Sequence, residues 1–189
     1  MLKSSFGLPV VAFLAILFVG LAVGPTWGVG VGDVAPSFSL TDIDGSNHTL
    51  AGYLRSPVLI MFLTYDDATS ISLAPRVQSD FQSRYQSQGL VVLGIETSGC
   101  ESGDLSSFRY STGVDFPLLL NGGSTLSAYG LSEGSFVLVD ANGIVKYVAE
   151  GPGAGAYNPS AMGTAVDNAL QDAASTKAKT WGQIKNLYK

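Results

Sequence analysis

Pro57-Val58-Leu59-Ile60-Met61-Phe62-Leu63 is an unbroken apolar run of strand length. A strand with one face in water alternates apolar and polar residues. A continuous run belongs instead to a central strand covered on both faces. Downstream, Ala74, Val77, Phe81 and Tyr85 recur at helical spacing, which predicts a helix from about Ala68 to Gln88, ending at Gly89. Leu90-Val91-Val92-Leu93-Gly94-Ile95-Glu96 reads as a second buried strand. Strand, helix and buried strand in that order form a βαβ unit with parallel strands.

The flanks extend this unit. Upstream, Phe38 and Leu40 alternate with polar residues in a short half-buried strand. Asp44-Gly45 signals a hairpin turn, and Thr49-Leu50 is expected to begin the return strand. Downstream, Leu105 and Phe108 mark a short helix, and Phe116-Pro117-Leu118-Leu119-Leu120 leads into a loop. Phe136 to Asp140 and Ile144 to Val148 flank Ala141-Asn142-Gly143, a strong antiparallel hairpin signal. Ala161, Ala165, Val166, Ala169 and Leu170 predict a closing helix. The whole order predicts an α/β fold with a central mixed sheet flanked by helices. Residues 173–189 read as a polar linker and a short amphipathic tail, with Trp181, Ile184 and Tyr188 at helical spacing.

Residues 1–27 are of another kind. From Phe6 to Trp27 there is no charge, and Lys3 is the only basic residue before Arg55. An apolar run of about 18 or more residues can span a bilayer as a helix. Pro9 falls in the first turn, where its missing N–H costs little. Trp27 stands where an interfacial anchor is expected. Two readings stand: an uncleaved anchor, or a signal peptide cut after Ala22-Val23-Gly24 or Thr26-Trp27-Gly28. Either places the domain outside the cytoplasm. Gly28-Val29-Gly30-Val31-Gly32-Asp33, within 28–35, is expected to be a flexible tether.

Composition narrows the partners. Only 13% of residues are charged, the net charge is -5, and there is no Lys/Arg cluster. Nucleic acid is therefore not an expected partner. The chain has one cysteine, Cys100, and one histidine, His48. An intramolecular disulfide is impossible, and a Cys/His zinc site lacks ligands. No cofactor motif is present. His48 is expected at the surface, in an Asn47-His48-Thr49 sequon that matters only in a eukaryotic secretory setting. Cys100 lies in a polar loop, where Glu101 and Asp104 are expected to raise its pKa.

Several motifs together resemble the redoxin branch of the thioredoxin superfamily, which holds thiol-specific antioxidant peroxiredoxins and membrane-anchored thiol-disulfide oxidoreductases. They are Gly32-Asp33-x-Ala35-Pro36-x-Phe38-x-Leu40-x-Asp42-x-Asp44-Gly45, Pro57 to Phe62, Gln88 to Ile95, Val114-x-Phe116-Pro117, Tyr129-Gly130-Leu131 and Phe136-Val137-Leu138-Val139-Asp140-x-x-Gly143. The similarity covers residues 32–172 and implies a thioredoxin-like domain. In the oxidoreductase branch a Trp-Cys-x-x-Cys motif follows the strand. Taking Pro75 as the register, Asp66 falls at the Trp, Asp67 at the first Cys and Ser70 at the second. Gly134 falls at the family's cis-proline. The peroxiredoxin Pro-x-x-x-Thr-x-x-Cys pattern is also missing from Thr64 to Ile71.

Thiol-disulfide chemistry needs a thiolate. An Asp at a helix start is instead an N-cap, and a serine without a base is a poor nucleophile. Asp66, Asp67 and Ser70 are accordingly read as structural rather than as a new hydrolytic or metal site. The resemblance implies a scaffold without its catalysis: a non-catalytic domain acting as a binding or accessory subunit of a membrane complex. Two alternatives remain open at this level. One is a one-thiol enzyme using Cys100. The other is a secreted soluble binding protein.

Overall fold

A computed structural model describes residues 28–151 and 155–187. The elements follow in the order β1 (Ser39–Thr41), β2 (Asn47–Thr49), β3 (Val58–Leu63), α1 (Ala68–Val77), β4 (Val91–Glu96), α2 (Ser102–Thr112), β5 (Leu118–Leu119), α3 (Gly123–Tyr129), β6 (Phe136–Val139), β7 (Val145–Ala149) and α4 (Pro159–Leu187). The main sheet has the order β5-β4-β3-β6-β7. β3 runs parallel to β4 and antiparallel to β6, so the sheet is mixed as the sequence predicts.

The apolar run opens both faces of the sheet to packing. Leu59, Met61 and Leu63 join a cluster with Leu73, Phe81 and Tyr85 from the α1 side and Val166 and Ala169 of α4. Val58, Ile60 and Phe62 point the other way, onto Phe38, Leu50 and Tyr129. Burying one such side chain is worth about 1.5–3 kcal/mol. This two-sided demand explains the missing alternation. Gly94 lets β5 close on β4: a Cβ there would lie 2.7 Å from Leu118 Cδ2 and 2.9 Å from Leu63 Cδ2.

Four expectations about helix and strand bounds differ from the structure. The return strand is Asn47–Thr49, and Leu50–Tyr53 is already a 3-10 turn, begun by Thr49 as its N-cap. The helix after β3 is not uniform. Pro75 lies inside α1, and Gln78–Gln82 then winds as a π-helix before the rod ends at Gly89, whose φ is 100°. Pro75 has no N–H to give the preceding turn, and a short π-helical segment inside a helix is rare. The segment after Leu120 is not all loop, because α3 occupies Gly123–Tyr129. Residues 173–187, read as linker and tail, continue α4 without a break.

The Gly-rich stretch is not a free tether either. The Val29 N–H donates to Tyr129 O and Gly32 N–H to Val145 O, each at 2.9 Å, and Ala35 N–H donates to Gly143 O at 2.9 Å. A Cβ on Gly28 would come within 2.6 Å of Gly130 O, so the backbone lies flat against the α3–β6 connection. Residues 1–27, which hold the expected anchor, and Tyr188 lie outside the described residues. Among the described residues no helix is long and apolar enough to cross a membrane.

Candidate functional site

The parallel strands β3 and β4 end at the same edge of the sheet. β3 runs into Thr64-Tyr65-Asp66-Asp67, and Asp67 begins α1 as its N-cap, with φ −78° and ψ 128°. Its Oδ2 accepts the Ser70 N–H at 2.8 Å. Ser70 is 3% exposed, and its Oγ accepts the Thr64 N–H at 3.2 Å. The serine thus ties the helix start back to the strand end. Asp66 and Asp67 are both exposed. Gly134, with φ 78°, lies beside the same strand end and donates its N–H to Phe62 O at 3.1 Å. The next residue, Ser135, accepts the Phe62 N–H at 3.0 Å. Asp67, Ser70 and Gly134 are therefore gathered around the end of one strand.

Cys100 stands on the loop after β4, half-buried, and is a free thiol. Its pKa is pushed up to about 12, by burial first and then by the charge and hydrogen bonding of Glu96, with Asp104 adding to it. Asp104 acts as the sequence suggests. Glu101 does not figure among the causes. Glu96, which sequence reading took only as a strand end, is the first charged group to act, after burial.

Glu96 is fully buried. Its carboxylate accepts Ser98 N–H at 2.8 Å, Gly99 N–H at 3.0 Å, Cys100 N–H at 3.3 Å and the Ser98 hydroxyl. Four donors satisfy the anion without a cation, so it ties down the loop that carries Cys100. An acid closing an apolar strand and followed by Ser-Gly was the available signal. Tyr65 faces the same region. Its phenol is pushed up by Asp104 and Asp66 first, then by burial, Cys100 and Glu96.

His48 is not a surface residue, because its side chain is 14% exposed. Its Nε2 lies 2.7 Å from Asp42 Oδ2, and Nδ1 meets the Tyr53 hydroxyl. The imidazole is half-buried and stands opposite the half-buried Leu40 in the β1–β2 pair. Both ring nitrogens are occupied, so His48 has none to offer Cys100 as a base. Asp42 Oδ1 also accepts Asp44 N–H at 2.9 Å and Ser46 N–H at 2.8 Å, closing the hairpin turn. Among the described residues no three His, Cys, Asp or Glu side chains converge as metal ligands.

A mixed sheet with helices on both faces, and a helix starting directly after its central strand, defines a thioredoxin-like fold. The model of the AhpC/TSA family matches residues 31–148, and the chain belongs to that family. A Mycobacterium tuberculosis protein classed with the peroxiredoxins, Rv2521, is 36% identical over 91 residues, covering 47% of this chain and 55% of that one. The chain thus spans little more than half the length of that relative. The thiol-disulfide oxidoreductase ResA of Geobacillus thermodenitrificans is 29% identical over 126 residues, covering 65% of this chain and 71% of that one. A secreted Mycobacterium tuberculosis disulfide oxidoreductase homologous to E. coli DsbE superposes with a TM-score of 0.56 at 19% identity. It covers 69% of this chain and 95% of that chain.

Proposed function

We propose that this chain is a redoxin-fold protein without thiol chemistry at the family's cysteine positions, tethered outside the cytoplasm as a binding or accessory subunit of a membrane complex. One observation carries this reading. The helix start that would hold the reactive cysteines is closed by the Asp67 cap, and Ser70 is spent on the Thr64 N–H. A helix N-terminus lowers a thiol pKa because it offers unpaired N–H groups and a positive dipole end. Here a carboxylate already takes that role. Cys100 offers no substitute, because its thiol is held protonated by burial and by Glu96.

The uncharged run 6–27 supports a tether, and the secreted DsbE homologue supports an extracytoplasmic setting. The test is purification of the full chain from native membranes in mild detergent. A second protein in fixed stoichiometry is the expected result, and an isolated monomer overturns the accessory role. Insulin-disulfide and peroxide assays on wild type and Cys100→Ser complete it. Equal, negligible rates are expected. Activity that disappears in Cys100→Ser makes the protein a one-thiol enzyme instead. An intact mass lacking residues up to Gly24 replaces the anchored subunit with a secreted binding protein.

A further inference from the structure

Val31, Val34 and Leu54 are three of the large apolar side chains left in water, at 69%, 75% and 49% exposure. They gather around the β6–β7 turn. Val34 bridges Ile144, Ala35 N–H donates to Gly143 O, and a Cβ on Gly143 would lie 3.7 Å from Leu54 Cδ2. Next to Leu54 stands the exposed Arg55, at φ 91°. That backbone conformation is uncommon for a residue with a Cβ, and the Arg55 N–H is fixed on Ala141 O at 2.9 Å. Among the described residues no ion pair involves Arg55. The neighbouring acid, Asp33, is exposed and its Oδ2 accepts the Gly30 N–H at 2.8 Å. The face therefore presents aliphatic tips, one cation and one carboxylate held in a local turn.

We infer that this face rests on the lipid bilayer, its aliphatic tips at the boundary of headgroups and acyl chains and Arg55 toward lipid phosphate. The inference rests on the reading of residues 6–27 as an anchor, and on how short the connection is. The interfacial anchor expected at Trp27 stands two residues before Val29, which is already bonded to Tyr129 O. Two residues reach at most about 7 Å. The headgroup layer of one leaflet is roughly 5–8 Å thick. The domain edge at Val29 then lies within the headgroups, and Val31 and Val34 follow directly. Interfacial binding of this kind combines buried apolar area with attraction of basic residues to lipid phosphate.

The test uses the full chain with Cys100→Ser, spin-labelled in turn at Val34→Cys, Leu54→Cys and Tyr110→Cys. The last is a control on α2, where Tyr110 is 93% exposed. The protein is placed in nanodiscs of mixed phosphatidylcholine and phosphatidylglycerol. Collision rates with oxygen, which partitions into lipid, and with a water-soluble nickel chelate are then compared. At sites 34 and 54 the oxygen-to-nickel ratio is expected to exceed that at site 110 several-fold. Ratios equal to site 110, in a chain that stays with the disc, overturn the docking face and leave the anchor standing. Shielding from both reagents overturns it in favour of a protein contact, such as a second copy. A chain that does not enter the disc removes the anchor first and this inference with it.

Discussion

Asp42 does more than its place in a turn suggests. Burial alone would raise its pKa, but hydrogen bonds from His48 and from the Ser46 and Asp44 N–H groups outweigh that and hold it below the usual carboxylate value. A depressed folded-state pKa gives stability that is present above the unfolded value, near 3.9, and lost as pH falls through the folded one. Asp42→Asn keeps an acceptor for the turn and removes the charge facing His48. It is expected to cost roughly 1 kcal/mol at pH 7, with the gap to wild type closing below about pH 4; urea titrations across pH read this directly. Cys100 gives a second outcome. With its pKa raised to about 12, iodoacetamide at pH 8 should label it at least about tenfold more slowly than an unfolded cysteine. Labelling at the unfolded rate contradicts the Glu96 environment. Tyr129 supplies the third. It is fully buried, packed edge-on against Phe62, and among the described residues its hydroxyl has no hydrogen-bond partner. Removing an unpaired buried hydroxyl relieves a desolvation cost. Tyr129→Phe should therefore leave the melting temperature unchanged or raise it, and a loss above about 1 kcal/mol shows that the hydroxyl is satisfied.

At the scale of elements, α1 carries the argument, because its start replaces the family's cysteines. Asp67→Ala removes the cap bond to the Ser70 N–H and should destabilise the protein by about 1 kcal/mol, within the usual range of about 0.5–2. If chemical denaturation finds no change, Asp67 is not a structural cap and its exposed carboxylate needs another explanation. β3, β4, the β6–β7 hairpin and the mixed sheet were legible from residue order alone, and this cap through the register that Pro75 sets in the family resemblance. Their signals are local: an apolar run, an Asn-Gly turn, an Asp directly before a helical pattern. The elements that escaped notice have weak local signals. Helix α3 is seven residues of mostly Gly, Ser and Thr with only Thr125 and Tyr129 buried, so it shows no helical stripe. The π-helical segment leaves no pattern in hydropathy. His48 and Glu96 are held by side-chain and backbone partners two to six residues away, through loop geometry that no period or spacing encodes.

Across the whole molecule, the sheet is held between two clusters, and the amino-terminal strap belongs to the second. Val29 packs there with Leu126 and Leu131. Hydrogen exchange checks this. The amides of Val29, Gly32 and Ala35, each bonded to a carbonyl of the folded domain, should be protected well beyond the unfolded chain, whereas a free tether exchanges at the unfolded rate. The strap also has a mechanical meaning. A pull on Gly28 from the amino-terminal side is not dissipated in slack chain. It reaches three hydrogen bonds, to Tyr129, Val145 and Gly143, that couple it to α3, to β7 and to the turn before β7. Load applied at the amino terminus is passed into the edge of the sheet, and the first structure to yield under tension would be the strap peeling from β7, before β3 and β4 feel any force.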